Sequence, residues 1–124
     1  MNVILEKTFV AGAAIAACTI VKHGAADDAV IPAAAATDSL LGVASRDFDT
    51  AIGERIDIMT QGVASVKLAG TVTRGGPVTS NAAGLGVAAA PAAGSNVRVI
   101  GVAMQSGVAG DVIDVLISQS VMQG

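Results

Sequence analysis

The acidic residues come in two close sets, Asp27-Asp28 and Asp47-Phe48-Asp49. Carboxylates this near one another can share a proton or grip a cation, but either use needs convergent partners: a base of different pKa, or further oxygen and imidazole ligands. The chain has one histidine, His23, inside the turn-like run HGAADD at 23 to 28. The acids therefore read as solvated turn residues and His23 as a surface residue, with no catalytic set and no metal site. No serine is marked as a nucleophile, because His23 is the only candidate base. Gly84-Leu85-Gly86-Val87-Ala88-Ala89 fits a relaxed dinucleotide-binding pattern, yet no convincing strand precedes it and Pro91 interrupts the helix that should follow. No cofactor is expected.

Cys18 raises a different chemistry. Ile15-Ala16-Ala17-Cys18 spells a lipobox, the site where an export signal is cut and the cysteine lipidated, inside the apolar run between Lys7 and Lys22. That makes an exported, lipid-anchored envelope protein the alternative reading. Against it, MNVILEK puts apolar residues and Glu6 where a signal peptide carries a short basic region, and the run is too short for a membrane span of about 20 residues.

The rest of the composition points away from enzymes and nucleic acid. Net charge is −3 with pI near 4.7, so there is no basic stripe to displace phosphate counterions. Aromatics make up 2% of 124 residues, which removes a base-stacking platform. With 52% hydrophobic residues and so few rings, the core of a single domain must be built from Val, Ile, Leu and Ala. Small side chains bury little area each, so the domain is expected to gain stability by associating with copies of itself or with a larger surface.

The elements that hold these residues read as strands. Glu54-Arg55-Ile56-Asp57-Ile58 alternates polar and apolar, and the runs 97–103 and 112–117 are β-branched and bounded by Gly or Asn. Ala-rich stretches at 33–37 and 87–93 allow at most short helical turns. The expected fold is mainly all-β, a small barrel or sandwich. It is built from two related halves. Leu41-Gly42-Val43-Ala44 recurs as Ile100-Gly101-Val102-Ala103, and Gly53–Ile58 recurs as Gly110–Val115, at offsets of 101 − 42 = 59 and 110 − 53 = 57. Thr19–Gly24 also resembles Thr71–Gly76, an offset of 52, which sets Cys18 against Gly70. The organisation expected is an N-terminal arm or first strand at 1–9 and one β-rich domain at 10–124, with repeats near 18–69 and 70–124. Asp57 and Asp114 fall at equivalent places and suit a structural role on a strand's outer face.

FVAGAAIAACTIVKHG, LLGVASRDFDTAIGERIDIMTQGVASVKLAG and VRVIGVAMQSGVAGDVIDVLIS together resemble the small head decoration, or capsid cement, proteins of tailed bacteriophages. Cys18 stands where a glycine is commoner in that pattern. The resemblance implies a β-rich, non-enzymatic virion protein, made in the host cytoplasm, that sits on the outer capsid surface and bridges subunits of the major capsid protein. It implies a homodimer or homotrimer, with no nucleic-acid or membrane partner. The attachment residues expected are Asn2, Val3, Ile4, Leu5, Glu6, Lys7 and Phe9, an apolar N-terminal stretch suited to strand addition on a capsid or sister-subunit edge. The competing reading of 3–9 is an ordinary first strand of the barrel.

Overall fold

The computed structural model describes residues 2–44 and 48–124, with backbone alone for Asn2 and Val3. Its described residues form nine strands and no helix: β1 Asn2–Ala11, β2 Ile20–His23, β3 Ala29–Pro32, β4 Leu40–Ala44, β5 Arg55–Lys67, β6 Pro77–Ser80, β7 Gly86–Ala88, β8 Asn96–Ala103 and β9 Val112–Gln123. The all-β expectation holds, in the form of a closed barrel with further strands attached. The first ring runs β1-β3-β2-β4-β5 and closes where β1 pairs antiparallel with β5 from Asn2↔Val63 to Val10↔Arg55. The second runs β5-β9-β8-β6-β7 and returns to the chain just past β5 through a parallel bridge, Leu68↔Gly86. Thirteen-residue β5 is thus the last strand of one ring and the first of the next.

Burial follows the alternation that the sequence displays. Ile56 and Ile58 are buried while Arg55 and Asp57 face solvent. Phe9, Ala11, Ile15, Val21, Val30, Ala44, Ile56 and Ile58 fill the first ring. Counterparts 57 positions on, Val66, Leu68, Val72, Val78, Ile113 and Val115, belong to the second cluster. That larger cluster also takes in Ile20, Val43 and Met59 from the first half, so the halves share a dry seam.

Several backbone bonds repeat between the two halves. Ile15 and Thr50 exchange both backbone hydrogen bonds, and so do Val72 and Gly107, at 72 − 15 = 57. Ala11 N–H donates to Glu54 O as Leu68 N–H does to Asp111 O. Gly42 and Gly101 are matched places where backbone crosses so closely that a Cβ would strike a carbonyl, of Met59 in one half and of Leu116 in the other. These contacts correct the register of the first strand pair. Ala33 N–H bonds to Ile20 O as Ala89 N–H bonds to Pro77 O, so Ile20 matches Pro77 and Cys18 matches Gly75, not Gly70. The reason is conformational: Cys18 has φ 61° and Gly75 φ 87°, both left-handed, a state that costs an L-residue with a Cβ roughly 1–2 kcal/mol. Of the Ala-rich stretches, 33–37 is a turn, and Val87 and Ala88 lie in β7, paired with β6. Cross-strand pairing there outweighs the helical preference of alanine.

Candidate interaction surface

Several acidic side chains hold turns. Asp49 Oδ1 accepts the Ala17 N–H at 2.9 Å, and Ser106 Oγ does the same for Arg74 N–H, 57 residues on. Glu54 Oε1 accepts Ala51 N–H, as Asp111 Oδ2 accepts Val108 N–H. Such bonds tie a turn's own backbone. Asp57 accepts the Thr8 hydroxyl at 2.6 Å. Asp114 donates its N–H to Gln105 Oε1 and accepts Met104 N–H on its backbone carbonyl, so the equivalent aspartates have different partners. Asp27 and Asp28 are exposed in the β2–β3 turn, and Asp47 lies outside the described residues. His23 sets its ring edge-on to Phe9, with centroids 6.2 Å apart and planes at 75°. Among the described residues no three His, Cys, Asp or Glu side chains converge on a metal-sized point. Asp38 has a perturbed carboxyl. The Ala34 N–H holds its carboxyl below the usual range and Lys22, 3.0 Å away, adds to this, against the opposing effect of burial.

Cys18 is buried, and Ile15 before it is bridged to Thr50 within the first ring. The lipobox residues therefore lie in the β1–β2 connection, with Ile15 and Cys18 buried and Ala16 exposed.

What the surface offers is apolar. β1 is paired along one edge with β5, while β3 takes only Val10 and Ala11 on the other, leaving residues 2–9 without a strand partner there among the described residues. A register irregularity surrounds Ile4, and Ile4 and Leu5 point into solvent, Ile4 at 74% exposure. Glu6 and Lys7 are exposed beside them, with Lys7 Nζ 5.1 Å from the Phe9 ring centre. Phe9 is buried in the first ring's core. Of the expected contact residues, then, Ile4 and Leu5 form an exposed apolar ridge, Glu6 and Lys7 are exposed further along the strand, Phe9 is buried, and the side chains of Asn2 and Val3 lie outside the described set.

A second apolar feature escaped the sequence. Pro77↔Val102, Val102↔Leu116 and Leu116↔Val63 are successive cross-strand pairs, so four apolar side chains form one row across β6, β8, β9 and β5. Val102 and Leu116 are exposed. Where β9 leaves β5, a cleft of roughly 230 Å³ opens, lined by Leu40, Arg98, Val99, Gln119, Ser120 and Val121.

The sequence matches the model of the phage cement protein family over residues 2–119. The chain belongs to the phage cement protein family. No curated protein sequence matches it. Among solved structures, the head fiber gp8.5 N base of bacteriophage phi29 superposes with a TM-score of 0.70 at 19% identity, covering 97% of this chain and 98% of that one. At that identity the likeness is one of fold. As a member of the cement family the chain is a capsid-associated structural protein.

Proposed function

We propose that this cement-family chain binds the outer surface of the assembled capsid and stabilises it by bridging neighbouring major capsid protein subunits, acting as a homodimer or homotrimer. The family match over residues 2–119 carries this reading. The role is structural, without catalysis. Physical support comes from the ridge of Ile4 and Leu5 on the open side of β1, where an extended capsid segment can add as a strand: main-chain bonds supply attachment and the apolar side chains supply fit. An oligomer holding several subunits at once turns weak single contacts into durable ones, because each later contact is intramolecular.

The decisive experiment mixes the full chain with mature heads and with unexpanded precursors and measures co-sedimentation. Saturable binding to mature heads is expected. Absence of binding to either particle overturns the proposal. Ile4→Lys with Leu5→Lys tests the ridge, since both side chains are exposed and β1–β5 pairing does not need them. A folded double variant should lose at least about tenfold in capsid affinity, the effect of roughly 1.4 kcal/mol. Unchanged binding removes the ridge from the contact.

A further inference from the structure

The duplicated fold provides its own control for what an exposed apolar surface is for. In the first half, Ile20↔Val43 and Val43↔Met59 make a row across β2, β4 and β5. By the corrected register this is the counterpart of Pro77, Val102 and Leu116. The first row is dry: Val43 is 0% and Met59 3% exposed. Its counterparts are open, Val102 at 38% and Leu116 at 44%. The contrast continues along β9, where Val121 is 57% exposed and its counterpart on β5, Ala64 (121 − 57 = 64), is 1% exposed.

What covers the first row is the second half itself. Ile100 and Ile117 join Val43 and Met59 in one core. Backbone bonds stitch the seam: Ile20 N–H to Gly84 O, and Arg98 N–H to Ala36 O. Gln119 Nε2 donates to both Leu41 O and Thr60 O at the point where β9 takes over β5's edge from β4. A repeat of this fold thus presents an apolar row and another repeat covers it. The second half presents the same row with nothing over it, and Ile117–Gln123, ISQSVMQ, has neither a charge nor a proline to discourage pairing. Stacked repeats normally end in a polar terminal unit, because an unstacked apolar face is a contact surface.

We infer that the row Pro77–Val102–Leu116, with Val121 on the outer half of β9, is the surface through which this chain binds a second copy of itself. The occupant follows from the fold: in the first half the equivalent row is sealed by another unit of the same repeat. The inference deepens the self-association within the reading above and is separable from capsid binding.

Sedimentation velocity on the full chain at micromolar concentration tests it, with Leu116→Lys/Val121→Lys as the breaking variant and Ile52→Lys, an exposed apolar residue in a first-half turn, as the control. Wild type and control should sediment as the same oligomer, and the double variant as a monomer whose dissociation constant has risen at least about 100-fold. Should the lysines prevent folding, Leu116→Asn/Val121→Thr gives the same reading with smaller perturbation. A monomeric wild type, or an oligomer untouched by a folded variant, overturns the inference. Head binding is measured in parallel. A monomeric variant that still binds heads supports the self-contact and leaves the capsid reading standing. A monomeric wild type whose variant alone fails to bind heads assigns the row to the capsid instead, overturning the self-contact only.

Discussion

The two halves of the chain have nearly the same interior and opposite exteriors. Inside, Ile56 and Ile113, Ala44 and Ala103, Val21 and Val78 occupy matching places, and the turn bonds match even where Asp49 is replaced by Ser106. Outside, one apolar row is sealed under the neighbouring half and the other meets solvent. Residue type alone does not decide burial here, because Met59 and Leu116 differ little in hydrophobicity. Position in the repeat does: burial belongs to a pair of surfaces, and only one row has its partner within the chain.

The comparison is broken most directly at that row. Met59→Ala should cost about 2–5 kcal/mol in urea unfolding, since it removes a buried side chain and leaves a cavity, whereas Leu116→Ala in dilute, dissociated protein should stay within about 0.5 kcal/mol. Equal losses would mean that Leu116 is covered in solution even without a partner. Gly42→Ala and Gly101→Ala sharpen the internal likeness. Each added methyl meets a carbonyl of the adjacent strand, so each should cost about 1–3 kcal/mol, by the same unfolding measurement. A tolerant Gly101 would show that β8 and β9 separate more easily than β4 and β5. Gly53→Ala and Gly110→Ala probe conformation alone, because φ is 85° and 91° and nothing lies within 4 Å of either new methyl. Losses of roughly 1–2 kcal/mol, the same in both halves, are expected from thermal melts.

The smallest effect concerns Lys22–Asp38, the one salt bridge among the described residues. Asp38 has its carboxyl held below the unfolded value of about 3.9. Its contribution is therefore complete above about pH 4 and fades as pH falls through the lower folded value. Asp38→Asn should lower the urea midpoint slightly at neutral pH and not at the acid end of that window. A difference between the two proteins that does not change with pH would show that the carboxylate's charge is not what matters.

Much of the fold was legible. Alternation marked the start of β5, and β-branched runs marked β8 and the first half of β9, because a half-buried strand writes its period into the chain. The continuation of β5 through Gln61-Gly62 was not legible, since Gly62, at φ 113°, reads locally as a break while lying within a continuous strand. The register of the first repeat was mistaken for a similar reason. TIVKHG and TVTRGG look alike by residue type, but the true partner of Gly75 is a cysteine held in a glycine conformation. For the candidate surface, the apolar N-terminal residues were visible, though not that Phe9 turns inward while Ile4 and Leu5 turn out. The row on β6, β8 and β9 could not be seen at all, because its members look like the buried residues they repeat.

By itself, then, the sequence determined a duplicated, aliphatic, all-β chain. Pattern and composition suffice for that, since they act within a few residues of chain. Only the tertiary structure decided that β5 serves both rings, that Cys18 takes the place of Gly75, and that one of two equivalent rows is covered. Each of these depends on which distant surfaces meet, and residues of the same type cannot encode that difference locally.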